Sequence, residues 1–98
     1  MKTENMKLEI PAWMHVLAEC KNESAYDVEI TGSSVSRYLS MTQSHVAGIV
    51  GKLIFFGYLR TQKSGSRKIL ILTQNGEVLS RACKNLIAMS VPVFARTK

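Results

Sequence analysis

The chain has 98 residues, a formal net charge of +6, 46% apolar and 20% charged residues. That composition suits one small domain with one modest core and excludes a disordered chain. No apolar run approaches the roughly 18 residues of a membrane helix, and MKTENMKLEIP lacks the apolar centre of a secretion signal, so a soluble intracellular protein is expected. The charge is polarised: residues 1–29 hold three Lys against six acids, whereas residues 30–98 carry ten Lys and Arg against Glu77 alone. Such polarity suits a face made for a polyanion; the alternative is charge that only keeps a basic protein dispersed.

No repeat or low-complexity tract divides the sequence, which reads as an N-terminal extension over 1–9, a domain over 10–90 and a tail over 91–98. Pro11 suits the first position of a helix, and behind it Trp13, Val16, Leu17 and Cys20 fall at i, i+3, i+4 and i+7, so a first helix with one apolar stripe is predicted, ending near KNES. AYDVEI, residues 25–30, alternates weakly and reads as a short strand. Thr31 then caps a short second helix through VSRYL, with Val35 and Leu39 facing inward.

Ser40-Met41 breaks the pattern, and Thr42 caps a third helix, QSHVAGIVGKLIFF, in which Val46, Ile49, Val50 and Leu53 repeat at the helical period until Gly57 stops it. YLRTQ and KILIL have strand character, and the KSGSR between them supplies a Gly for a tight hairpin, which makes the cationic stretch RTQKSGSRK a hairpin tip. Thr73 caps a fourth helix from Gln74 to about Met89, apolar at Val78, Leu79, Ala82, Cys83, Leu86 and Ile87 and ended by Ser90 and Pro92.

This order, and in particular the stretch Ile30 to Leu79 with its exit Gly57-Tyr58-Leu59 and its Leu72-Thr73-Gln74-Asn75-Gly76 (L-T-x-x-G), resembles the DNA-binding domain of MarR-type and related archaeal and bacterial transcriptional regulators. The resemblance implies an α+β, mainly helical winged helix-turn-helix: helix 1, short strand, helix 2, helix 3, two-stranded wing, helix 4. It also implies a cytoplasmic regulator of double-stranded DNA from an archaeon, a bacterium or a virus of such a host.

In that arrangement the start of the third helix enters the major groove. Thr42, Gln43, Ser44 and His45 are the residues so placed. Gln pairs bidentately with adenine, Ser bonds several base edges, and His donates to a phosphate or purine acceptor, so Gln43 is the leading candidate. The plainer reading of Thr42 and Ser44 is helix capping, and of His45 an exposed helix residue. Arg60, Lys63, Ser64, Arg67 and Lys68 on the wing are candidates for phosphate or minor-groove contact, with Arg37 and Lys52 secondary. The plainer reading of the wing is a solvated tip whose basic residues discourage edge pairing.

The sequence departs from the family pattern twice. Ser44, Ala47, Gly48 and Gly51 make a stripe of small residues where relatives usually carry Arg or Lys; either the helix backbone lies deep against the DNA groove, with Gly48 among the contacts, or another helix packs there. Ile54, Phe55 and Phe56 cannot all face one core, because successive helical residues fan through about 100°. They are either a core extension beneath Val91, Val93 and Phe94 or part of a dimer surface. A homodimer through helix 4, helix 1 and the tail is expected; a winged-helix module that binds a partner protein through helix 3 and Ile54 to Phe56 is the alternative function.

Cys20 and Cys83 read as small buried hydrophobes, with a disulfide or redox role as the alternative; a disulfide needs Cα atoms roughly 4.4 to 6.8 Å apart. His15 and His45 have no paired ligands near them in sequence, and no C-x-x-C, nucleophile motif or phosphate loop occurs. No catalytic site, metal, cofactor, membrane contact or small-molecule ligand is expected.

Overall fold

Three threonines set where helices begin. A helix leaves its first N–H groups without partners, and a Thr hydroxyl at the preceding position supplies one. Thr31 opens α2 (Gly32–Leu39), Thr42 opens α3 (Gln43–Phe55) and Thr73 opens α4 (Gln74–Met89), each side chain accepting from the third helical N–H. At Thr31 the cap is reciprocal: its Oγ1 accepts from Ser34 N at 3.2 Å, while Thr31 N donates to Ser34 Oγ at 2.9 Å. The remaining helix, α1 (Ala12–Glu19), begins behind Pro11. These assignments come from a computed structural model that describes residues 10–22 and 29–90.

Two helices end on the same device. At the end of α3, Gly57 adopts φ +84°, Gly57 N donates to Ile54 O at 3.0 Å and Tyr58 N to Leu53 O at 2.9 Å. Those paired bonds satisfy the last carbonyls and turn the chain out of the helix. At the end of α2 the left-handed position is taken by Ser40, with φ 57°, and Met41 N donates to Ser36 O at 2.9 Å. Ser36 is buried and its hydroxyl donates to Met41 O, so the turn between α2 and α3 is fastened by side chain as well as backbone.

The strands β1 (Leu59–Ser64) and β2 (Arg67–Leu72) pair antiparallel from Leu59 opposite Leu72 to Ser64 opposite Arg67. Only Gly65 and Ser66 join them, and Gly65 has φ +62°, the geometry of a two-residue turn with Gly first. The expected five-residue loop is thus shorter, because Lys63, Ser64 and Arg67 all stay in the ladder. The outer edge of β2 is covered by two single contacts: Leu70 N donates to Ile30 O at 2.7 Å and Leu72 N to Lys21 O at 2.8 Å. Most of the strand expected over 25–30 lies outside the described residues; where it would end, Thr31 forms one antiparallel bridge with Ile69.

The core joins Val16 and Leu17 of α1, Val35 of α2, Val46, Val50 and Leu53 of α3, Leu59, Leu70 and Leu72 of the strands, and Cys83 of α4. Burying each of these aliphatic side chains contributes about 1.5–3 kcal/mol. The first helix differs from its prediction in two respects. It stops at Glu19, because Cys20 is already extended (φ −84°, ψ 157°) as the chain turns to run beside β2. Trp13 does not join the stripe: it sits in the first turn of an eight-residue helix and is 38% exposed, while Val16 and Leu17, one turn later, are fully buried. On α4 the inward face is narrower than its apolar residues suggested: Gly76, Ser80 and Cys83 are buried, with Ser80 Oγ donating to Leu17 O at 3.2 Å, but Val78 and Met89 are exposed.

The L-T-x-x-G stretch has a local physical meaning. Thr73 Oγ1 accepts from Gly76 N at 3.0 Å and donates to Gly57 O at 2.6 Å, and Thr73 N donates to Tyr58 O at 3.2 Å. One threonine therefore ties the start of α4 to the exit of α3. Gly76 allows it, since a Cβ there would lie 1.9 Å from Tyr58 O.

Candidate nucleic-acid interface

The helix-turn-helix and the wing enclose one open groove of about 820 Å³. Its walls come from the start of α2, one face of α3 and the wing. Of the DNA-contact candidates, Arg37, Gln43, Arg67 and Lys68 line it together, with Ile54 beside them. The floor includes Ala47, Val50, Gly51 and Leu70. Small side chains at positions 47 and 51 leave this space open. A Cβ at Gly48 or Gly51 would have no atom within 4 Å, so no described element packs against that stripe.

The remaining candidates lie around the groove. Thr42, Ser44, His45, Gly48 and Lys52 are exposed on α3, and Arg60, Lys63 and Ser64 are on the wing. Thr42 is the cap, its Oγ1 accepting from His45 N at 3.2 Å. Because strand side chains alternate, the wing cations divide between its two faces. The register puts Lys63 directly opposite Lys68, on the face that carries Leu59, Leu70 and Leu72; Arg60 and Arg67 belong to the other face. The four cations therefore do not form one row.

One residue that the sequence reading did not single out is Glu29. It forms an ion pair with Arg67, and the two side chains are 41% and 59% exposed. Glu29 lines the same groove, so the wing is not free of acids in space although it is in sequence. Its position just before Ile30, which bonds the wing strand, was the available signal.

No family model matches the sequence, nor does any curated protein. Solved structures do match. AF1382 from Archaeoglobus fulgidus superposes with a TM-score of 0.72 at 18% identity, covering 93% of this chain and 99% of its own. A MarR-family transcriptional regulator from Rhodococcus sp. RHA1 gives 0.66 at 13% identity, over 90% of this chain and 67% of that one. The Staphylococcus aureus MepR–DNA complex gives 0.65 at 18% identity, over 79% of this chain and 56% of that one. The chain has the winged-helix fold of MarR-family regulators. It spans nearly all of the archaeal protein but between about half and two thirds of the other two.

Against that MarR-like frame, the end of α3 stands out. Phe55 and Phe56 are 81% and 67% exposed and meet edge to face, ring centroids 5.2 Å apart, with Ile54 exposed beside them. The tail residues expected to cover them, Val91, Val93 and Phe94, lie outside the described residues. The two cysteines are buried free thiols. Burial pushes the Cys20 thiol up to about 12, with the Glu19 carboxylate adding to the effect, and burial likewise raises Cys83. Neither carries the thiolate that attack or metal ligation needs at neutral pH. Among the described residues no three His, Cys, Asp or Glu side chains gather to hold a metal, and no helix is long and apolar enough to cross a membrane.

Proposed function

We propose that the protein is a double-stranded DNA-binding transcriptional regulator, with the start of α3 in the major groove and the wing on the phosphate backbone. The observation that carries this reading is the meeting of Arg37, Gln43, Arg67 and Lys68 around one open groove between α3 and the wing. Gln43 is the base-reading residue, and Arg37, Lys52 and Lys68 neutralise phosphates. Lys63 opposite Lys68 is consistent with this: like charges directly across a ladder destabilise it, and a phosphate between them relieves the repulsion. The fold's likeness to MepR, solved with DNA, supports the same placement. A homodimer through α1, α4 and the tail, whose exposed apolar residues include Trp13, Val78 and Met89, would present two such surfaces to a pseudo-palindromic site.

The exposed Ile54, Phe55 and Phe56 favour a second reading, a module that docks a partner protein. Salt separates the two. For DNA, log affinity falls in proportion to the phosphates neutralised, whereas an apolar contact responds little. In fluorescence anisotropy with labelled duplexes, Lys68→Ala should weaken binding to all sequences and make the salt slope shallower by about 1, while Gln43→Ala should cost about 1–3 kcal/mol at selected sites only. Equal binding by wild type and both variants rejects the DNA reading.

A further inference from the structure

Arg67 does not face the groove as an unpaired cation, since its Nη2 is engaged by Glu29 Oε1. We propose that Glu29 attenuates the grip of the wing on DNA by holding Arg67 in a neutral pair, so that the protein neutralises one phosphate fewer than its wing cations allow. The inference rests on the DNA reading above. Three observations carry it.

Among the described residues Glu29 is the one acid that lines the groove, and it shares that lining with Arg37, Gln43 and Lys68. Its backbone is fixed to the wing: the next residue, Ile30, accepts a hydrogen bond from Leu70 N at 2.7 Å, and Thr31 bridges Ile69. The carboxylate therefore stays beside the wing wherever its partner goes. Finally, both members of the pair are substantially exposed, at 59% and 41%. An exposed Arg–carboxylate pair and an exposed Arg–phosphate contact are interactions of the same kind and similar strength, so neither displaces the other outright. If Arg67 stays on Glu29, one phosphate goes unneutralised. If it leaves, a bare carboxylate remains next to a polyanion. Both outcomes lower affinity.

The test is anisotropy with one mixed-sequence duplex over a series of salt concentrations, using wild type, Glu29→Gln, Arg67→Ala, the double variant and Lys68→Ala. Thermal unfolding of each variant separates loss of fold from loss of contact. Glu29→Gln should tighten binding roughly two- to fivefold, the scale of one exposed charge contact. It should also steepen the slope of log affinity against log salt by about 0.9, the signature of one added phosphate contact. Arg67→Ala should weaken binding little in the wild-type background and several-fold in the Glu29→Gln background, a coupling that a double-mutant cycle reads directly. Weaker or unchanged binding by Glu29→Gln, or an equal loss on Arg67→Ala in both backgrounds, overturns the inference. Lys68→Ala keeps the two failures apart: if it changes neither affinity nor slope, the DNA reading itself falls, and this inference with it.

Discussion

Gly76→Ala should destabilise the protein strongly, although helix propensity alone says that it should help. Gly76 is the third residue of α4, where Ala is favoured over Gly by about 1 kcal/mol. An alanine Cβ there would lie 1.9 Å from Tyr58 O and 2.9 Å from Tyr58 C, against backbone that no rotamer change can move aside. The start of α4 must back away. Doing so strains a packed junction, at about 1–3 kcal/mol. It also stretches the Thr73 bonds to Gly57 O and Gly76 N and the Thr73 N bond to Tyr58 O, a loss of about 1 kcal/mol for the cap and a similar amount for the links to Gly57 and Tyr58. Set against the propensity gain, the net loss is about 3 kcal/mol, a large fraction of the stability of a domain this small. At about 4–8 °C per kcal/mol the melting temperature should fall by roughly 12–24 °C, read by circular dichroism at 222 nm, with urea unfolding giving the same free-energy difference. A variant within about 0.5 kcal/mol of wild type, or more stable, would refute the claim that α4 is seated on the Tyr58 carbonyl.

Gly48→Ala is the matched substitution with the opposite sign: its Cβ meets nothing within 4 Å, so thermal unfolding should show a gain of about 0.5–1 kcal/mol, while duplex affinity falls if α3 lies with its backbone against the groove. Ser40→Gly should raise stability by about 0.5–1 kcal/mol in urea titrations, because Ser40 holds a left-handed conformation that glycine adopts without the steric penalty, less the greater freedom glycine has in the unfolded chain. Stability should fall with rising alkaline pH. Cys20 titrates near 12 when folded but near 8.5 when unfolded, so the native state holds the proton longer and its contribution, complete below about pH 8.5, is lost by up to about 1.4 kcal/mol per pH unit as pH rises toward 12. Urea midpoints of wild type and Cys20→Ala between pH 7 and 10 measure it: the variant's decline should be the shallower.

What the sequence made legible was mostly local. The caps at Thr31, Thr42 and Thr73, the stop at Gly57 and the turn at Gly65 each depend on a few neighbouring residues, and each is where it was expected. The fan of Ile54, Phe55 and Phe56 was legible for the same reason, since helix geometry alone forbids one buried face for all three. The misreadings are of another kind. Trp13 has the right spacing for the core stripe, but spacing does not say where neighbouring elements stop, and at the first turn of α1 it is 38% exposed. The wing cations are one cluster in sequence, yet the ladder register separates Lys63 and Lys68 from Arg60 and Arg67. Glu29 belongs in sequence to the acidic first segment, and only the pairing of Ile30 and Thr31 with β2 brings it to Arg67, across a gap of 38 positions in the chain.

The bareness of α3 bears on how such a surface would select DNA. Its exposed residues are Gln43, Ser44 and His45 in the first turn, then Ala47, Gly48, Gly51 and Lys52, and finally the apolar Ile54 and Phe55 at its end. Apart from Lys52, side chains able to read base edges are confined to that first turn. One bidentate Gln–adenine pair discriminates by about 1–3 kcal/mol, roughly five- to 150-fold, well short of the 10³–10⁷ by which specific sites commonly exceed random ones. The small residues offset this in another way. Most of a helix's diameter is side chain, and a face of Ala and Gly lets the backbone approach a groove more closely than Arg or Lys would permit. Close approach makes the contact sensitive to groove width and to the ease of bending, properties that vary with sequence at positions no side chain touches. On this reading Gln43 contributes a minority of the discrimination, and the shape of the duplex contributes the rest.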